Sequence, residues 1–426
     1  MIQLTRCTIL ALVAVLLPGC QSEVPTPPSA PKVSGPSVQS DLANETSADT
    51  PDVPTIGAPA AEETNGGLPN PASARDGEID LVASAQPPAT LQLTEGTLVT
   101  RIQKTDSLSG LSNLVFSPDG KLLYVADSDA GIVVLSVPSW EKTATWTWAE
   151  NNKKTMIEWL VLSHDGGTLV AGHQHGLITV WSTAKGEIIH RHEYVPAEDS
   201  MGPAWALAHG LAITPDGKRV ASADGGSFGY SIWTSNDGKE LWRQTTEWRD
   251  VKPADFHPNG KTVALLGVKR FLLCDAETGK PTLTVPLGRS LIDTALFTPD
   301  GQHILVDYDG KVEGKYRCVC GMLDATSGKL EWCVDSGYDS QYGIDVSPDG
   351  SLVAIVGQRL TPEGFAEQKT TVQFRNAKDG QLKAAFQSRV QVAPKASFSP
   401  DGKLLAVGDE IWQVPETAVN SESKRE

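Results

Sequence analysis

The residues of this 426-residue chain that could do chemistry are eight histidines, six cysteines and a few carboxylate-rich turns. Six histidines fall between His164 and His209, with His173-Gln174-His175-Gly176 in one turn and His190-Arg191-His192 in the next strand. A metal centre would need neutral imidazoles converging on one point. No cysteine or carboxylate joins these pairs at a ligand spacing, so packing is the favoured reading and His173 and His175 are the weak metal candidates. Asp127-Ser128-Asp129-Ala130-Gly131 and Asp307-Tyr308-Asp309-Gly310 echo calcium loops, but neither supplies the closing glutamate such a loop requires, and both read better as turns. Cys318-Val319-Cys320 reads as strand with Cys333 on its hairpin partner. Pairing Leu323 with Leu330 would set Cys320 opposite Cys333, giving an expected cross-strand disulfide, with buried free thiols as the alternative. Gly260-Lys261-Thr262 lacks the upstream glycine of a phosphate loop. There is no Cys-x-x-Cys-His haem attachment and no Gly-x-Ser-x-Gly elbow. A net charge of −16 with no basic stripe argues against nucleic acid. The expectation is no catalytic residue, no cofactor and no enzyme.

Any such residues are positioned by one short stretch written seven times. Phe116-Ser117-Pro118-Asp119-Gly120 returns with variation at Gly166, Gly217, Gly260, Gly301, Gly350 and Gly402, at intervals of 41 to 52 residues. Each copy leaves an apolar residue, places Pro and Asp or Asn where a tight turn wants them, and ends on glycine for positive φ. Alternating apolar runs follow, such as Leu122–Ala126 and Leu352–Val356, giving strand, turn, strand. A second landmark, Trp181-Ser182-Thr183-Ala184-Lys185-Gly186 and its counterparts ending at Gly238, Gly279, Gly328 and Gly380, marks another hairpin. In four units it precedes the next turn glycine by 22 residues. A period near 40–50 with strand character predicts an all-β, seven-bladed propeller of four-stranded blades.

Over residues 96–416 these motifs resemble the WD-repeat β-propeller family, as a divergent bacterial-style member. The tryptophan of the Trp-Asp dipeptide survives in Trp181, Trp233 and Trp412, and the aspartate in Asp275 and Asp324, never together, so the family's buried network does not transfer. Gly96-Thr97-Leu98 matches the fourth-strand starts Gly186-Glu187-Ile188 and Gly380-Gln381-Leu382, while the last unit stops after Glu410–Val414. The N-terminal strand is therefore expected to complete the C-terminal blade, abolishing two open sheet edges.

Residues 1–19 read as a signal peptide, with Arg6, the apolar run Ile9–Leu17 and Leu17-Pro18-Gly19-Cys20, which resembles a bacterial lipobox. The resemblance implies acylation at Cys20, and Gln21 after it favours outer over inner membrane. The expected setting is the bacterial cell envelope, lipid-anchored on the exported side, with the membrane touched through the anchor alone. Residues 20–95 carry 12 of the 28 prolines, eleven acidic residues against two basic ones from Ser22 on, and no aromatic, since Phe116 is the first. That composition predicts a disordered acidic linker, and 417–426 a polar tail.

The connections b–c and d–a lie on one face of such a disc and vary in length, among them 149–158, 195–204, 246–251, 307–316 and 357–369. Long irregular connections on a rigid scaffold are where binding sits. Trp159, Trp205, Trp248, Tyr308, Arg359 and Phe365 are the candidate binding face. The expected role is a monomeric protein-binding scaffold. The alternative is a propeller enzyme, or a metal or small-ligand binder, using the central channel mouth.

Overall fold

The computed structural model describes residues 79, 81–89, 91–102, 113–127, 131–148, 156–193, 210–223, 229–245, 252–267, 270–287, 292–312, 315–338, 340–359, 369–390 and 395–419. They form seven antiparallel four-stranded sheets, as the repeated turns require. After a short helix α1 (Leu81–Ser84) and β1 (Leu98–Arg101), blade 1 is β2 (Asn113–Phe116), β3 (Leu122–Asp127), β4 (Gly131–Ser136) and β5 (Lys142–Trp146). Blade 2 is β6 (Ile157–Leu162), β7 (Thr168–His173), β8 (Leu177–Ser182) and β9 (Glu187–Glu193). Blade 3 is β10 (Leu211–Ile213), β11 (Arg219–Ala223), β12 (Gly229–Thr234) and β13 (Glu240–Thr245). Blade 4 is β14 (Lys252–Phe256), β15 (Thr262–Gly267), β16 (Arg270–Asp275) and β17 (Pro281–Pro286). Blade 5 is β18 (Ile292–Phe297), β19 (His303–Val312), β20 (Lys315–Asp324) and β21 (Leu330–Asp335). Blade 6 is β22 (Ser340–Val346), β23 (Leu352–Arg359), β24 (Lys369–Asn376) and β25 (Leu382–Ser388). Blade 7 is β26 (Ala396–Phe398), β27 (Leu404–Val407) and β28 (Glu410–Gln413), followed by α2 (Glu416–Val419).

First strands of successive blades contact one another around the whole ring, so they are innermost and line the central channel. The chain is a seven-bladed β-propeller. Its fourth strand in blade 7 is β1, paired antiparallel with β28 from Leu98↔Trp412 to Arg101↔Glu410, as the matching of Gly96 to the other fourth-strand starts predicts. Glu410, 1% exposed, locks this closure. It accepts from Arg101 at 2.7 Å, from the Ser388 hydroxyl of blade 6 at 2.7 Å and from Trp412 Nε1 at 3.1 Å.

The core is not one mass but seven apolar clusters, each shared by two neighbouring blades. A strand alternates its side chains, so each sheet feeds one cluster from each face. The turns are held the same way in six of the seven units, blade 4 using His257 and Asn259 instead. The Ser117 hydroxyl donates to Asp119 Oδ1 at 2.7 Å and accepts from Leu122 N at 2.9 Å, and the arrangement recurs at Ser163, Thr214, Thr298, Ser347 and Ser399. That hydroxyl, with the backbone N–H of Lys121, holds the Asp119 carboxyl down to about 2. These aspartates are structural.

The boundary of the expected linker moves. Composition predicted disorder to residue 95, but the described residues from Ile79 lie along the rim. Ile79 bridges Leu287 in parallel, with its N–H on Pro286 O at 3.0 Å. Gln86 bridges Val334, donating to Cys333 O at 2.8 Å and accepting from Asp335 N at 2.9 Å. Thr94 N reaches Ala385 O at 2.8 Å. The chain thus steps over the outer strands of blades 4, 5 and 6 before joining blade 7. Leu81, 1% exposed, anchors this strap in the cluster between blades 4 and 5. One buried leucine and a few ladder hydrogen bonds offset the ordering entropy that the average composition made prohibitive. The tail is likewise shorter than expected, because Ala418 in α2 is 3% exposed, packed with Val414 on the cluster between blades 6 and 7.

Candidate functional site

Two features could meet a ligand or partner: the channel mouth and the hairpins around it. Five residues before each turn glycine the innermost strands carry Val115, Val161, Ala212, Asp255, Leu296, Asp345 and Ser397, and the valines, Ala212 and Leu296 pack in the clusters between neighbouring blades. Asp255 and Asp345 are the two acids of this set. Asp255 accepts from Phe256 N at 2.8 Å and, across the blade boundary, from Phe297 N at 2.9 Å. Asp345 repeats this with Val346 N at 2.9 Å and Phe398 N at 2.7 Å. Both residues are largely buried. Burial pushes both up to about 7, against the pull of their backbone donors.

At the mouth, two residues before Val161 and Ser397, Trp159 of blade 2 meets Lys395 at the start of blade 7. The ammonium lies 3.2 Å from the ring centroid, a cation–π contact that spans blade 1. Beneath it Asn113 Nδ2 of blade 1 donates to Glu158 O, and Gln174 Nε2 donates to Glu158 Oε1 at 3.3 Å. Bulges fall in the first strands of blades 2, 5 and 6 at Glu158, Asp293 and Tyr342, eight residues before each turn glycine. Bulges at such a rim re-aim side chains.

Of the sequence-predicted face, Trp159 is half-buried in this mouth. Tyr308 is a correction. At 5% exposure it belongs to the core between blades 4 and 5, because the ladder of blade 5 runs on to Val312↔Lys315 where a loop had been expected from Asp307. Asp307, read as part of a turn, is likewise mid-strand, opposite Cys320. Arg359 ends β23, paired with Lys369. Trp205, Trp248 and Phe365 lie outside the described residues, as does Cys20.

His173 is fully buried, with Nε2 sharing a 2.8 Å hydrogen bond with Thr179 Oγ1, which also accepts from Trp181 Nε1 at 2.9 Å. It is thereby engaged in packing, and nothing beyond its backbone is described for His175. Among the described residues no three His, Cys, Asp or Glu groups converge as metal ligands. His190 and His192 pack toward Trp233, His192 stacked at 4.7 Å, and burial lowers both.

The expected Cys320–Cys333 disulfide is also corrected. Leu323 does pair with Leu330, but a bulge between Met322 and Leu323 shifts the register, so Gly321 faces Cys333 and Cys320 faces Val334. A one-residue slip sends a side chain to the other face. Cys320 therefore joins the cluster between blades 5 and 6, Cys333 that between blades 4 and 5, and all four described cysteines are buried thiols. On the opposite face a groove of about 710 Å³ runs between the turns of blades 6 and 7. Its Asp349 and Asp401 are tied to Ser347 and Ser399.

Sequence reasoning missed Asp255, Asp345 and Lys395. The signal was present: both acids stand five residues before a turn glycine, where the other units carry Val, Ala, Leu or Ser.

The comparisons agree with this architecture. A family model described as "Lactonase, 7-bladed beta-propeller" matches residues 85–255. A second, described as "Outer membrane protein assembly factor BamB", matches residues 231–387. No curated protein matches in sequence. Among solved structures, the β-propeller domain of Myceliophteria thermophila Cps50 (Swd1) is 14% identical with a TM-score of 0.60, covering 75% of this chain and all of that one (100%). A chain of the mitotic checkpoint complex is 14% identical at TM-score 0.57, covering 77% of this chain and 96% of its own. A chain of Kuenenia stuttgartiensis hydrazine synthase is 16% identical at TM-score 0.55, covering 72% and 94%. These likenesses show the fold. Each family model spans less than half of the chain.

Proposed function

We propose that this protein is an exported, lipid-anchored scaffold that holds a protein partner on the face formed by its b–c and d–a connections. The observation that carries the reading is a pair of tall hairpins on neighbouring blades. In blade 5 the two middle strands have 10 residues each, and in blade 6 they have 8 each. Middle strands elsewhere have 4 to 6. At about 3.3 Å per residue, blade 5 stands on the order of 13 Å proud of the disc. Its ladder is paired to the tip, so the projection is stiff, and a preorganised surface binds at lower entropic cost. The lipobox-like Leu17-Pro18-Gly19-Cys20 and the acidic proline-rich stretch after it support export and tethering. The match of residues 231–387 to a family named for an outer membrane assembly factor supports the same compartment and a role among other proteins.

The test is crosslinking of the native protein in its own membranes, beside a variant whose residues 360–368 are replaced by a short turn. A discrete partner lost in the variant is the expected result. No partner in either sample would sink the scaffold.

A second reading, a small ligand in the channel, is favoured by Asp255 and Asp345 on the channel-lining first strands, by the Trp159–Lys395 contact and by the lactonase family match over residues 85–255. Lactone hydrolysis lost on Asp255→Asn and Asp345→Asn would favour it. Activity absent from the wild type would reject it.

A further inference from the structure

The strap supplies its own precedent for how this propeller recognises a chain. Outer strands of blades 4, 5 and 6 carry buried residues where the strap crosses, namely Val285, Val334 and Ala385. Outer strands of blades 1, 2 and 3, β5, β9 and β13, are the last strands of their sheets, and none of their described side chains is buried. The third residue after the hairpin glycine separates blades 2 and 3 from the strapped blades. In the strapped blades it is Thr282, Glu331 and Lys383, after Gly279, Gly328 and Gly380. In blades 2 and 3 it is Ile189 and Leu241, after Gly186 and Gly238, 41% and 43% exposed. The other large exposed apolar residues among those described, Leu93, Leu98 and Val99, also lie on the rim, on the strap and β1. A water-facing Ile and Leu at equivalent places on two adjacent edge strands are a liability that proteins ordinarily blunt with charge.

We propose that the rims of blades 2 and 3 are a docking site for an extended segment of a partner polypeptide, laid along β9 and β13 as the strap is laid along blades 4 to 6. The occupant's chemistry follows from the strap. It is an extended chain running parallel to the outer strand at its bridges, giving its N–H to an outer-strand carbonyl as Ile79 does to Pro286 and Gln86 to Cys333. It advances 7 to 8 residues per blade, as from Ile79 to Gln86 to Thr94, and carries aliphatic side chains to cover Ile189 and Leu241. Main-chain bonds then give affinity and the two apolar contacts give place. The site is continuous with the interface of the described strap residues, of which Ile79 is seated on blade 4. The inference rests on the scaffold reading and moves part of its contact from the loop face to the rim.

The test uses the full chain and a synthetic peptide with the sequence of residues 79–94. Hydrogen exchange at 187–193 and 240–245 should slow about tenfold on saturation, and the double variant Ile189→Glu, Leu241→Glu should abolish the effect at unchanged melting temperature. Absence of protection there, or protection confined to β17, β21 and β25, would overturn the proposal. So would faster exchange of β9 and β13 on deleting residues 21–78 without peptide, since the chain's own upstream segment would then be the occupant. The scaffold reading fails on a different result, the absence of any crosslinked partner in the membrane experiment.

Discussion

Gly380 of blade 6 lies against the indole of Trp332 on the outer strand of blade 5, so closely that a Cβ there would stand 2.7 Å from the ring. The same indole donates to Ala377 O at 2.7 Å. The relationship repeats around the disc as Gly186 against Trp146, Gly238 against His190, Gly279 against Trp242 and Gly328 against Val285, with Gly96 against Phe386 at the closure. Each hairpin glycine is thus a seat for the preceding blade, as well as a positive-φ residue at five of the six places.

The seat can be separated from the φ. Gly380→Ala should cost about 2–4 kcal/mol, combining a left-handed alanine with an overpacked contact. Gly350→Ala, at φ +72 with its nearest neighbour 4.0 Å away, should cost only about 1–2 kcal/mol. Urea unfolding of the two variants decides it, and equal losses would remove the seat.

Closure depends on a buried carboxylate. Glu410→Ala orphans the Trp412 and Ser388 donors and frees Arg101, and should lower stability by about 3–5 kcal/mol. Arg101→Ala leaves the other donors in place and should cost less than half as much. Thermal unfolding should stay a single transition in both, since the ring opens as a whole.

Stability should fall as pH rises from about 4 to about 7 and level off above. Asp255 and Asp345 sit at about 7 in the fold, above the ordinary value of 3.8 that applies to the unfolded chain. The native state therefore binds more protons between pH 4 and pH 7. Its advantage is full below pH 4 and is lost as the carboxyls ionise through pH 7. The double variant Asp255→Asn, Asp345→Asn should flatten the decline in urea midpoint between about pH 4 and about pH 7. An unaltered slope would mean that these carboxyls titrate normally.

The four propeller cysteines should behave as thiols. Cys274, Cys318, Cys320 and Cys333 should show no mass change on reduction and should alkylate only on unfolding. Cys333 is the informative one, because its thiol lies 3.2 Å from Leu81 O beneath the strap. Leu81→Asp should expose Cys333 to alkylation well before the other three, as read by peptide mass mapping.

The ring was legible because its cause is local. Pro, Asp and Gly in a seven-times-repeated turn specify the same hairpin wherever they stand, and Gly96 declared the closure by matching the other fourth-strand starts. The errors arose where a small irregularity or a tertiary contact decides. A bulge at Met322–Leu323, which recurs at the equivalent place in each of blades 1 to 6, moved Cys333 one place. Tyr308 looked like a loop residue because Asp-Tyr-Asp-Gly reads as a turn, yet ten ladder pairs carry the strand past it. The strap was hidden by averaging, since Leu81 is one leucine in a segment whose mean composition says disorder.

The strap also sets a mechanical order. Tension on the chain upstream of Ile79 loads its bond to Pro286 first, then the paired bonds of Gln86, then that of Thr94, and only afterwards the β1–β28 ladder. These contacts are met one at a time, so they yield by peeling at low force, and each released length relaxes the load. The ladder behind them, clamped by Glu410, is the high-force element. A propeller held by its N-terminal side would thus carry a shock absorber in series with its clasp.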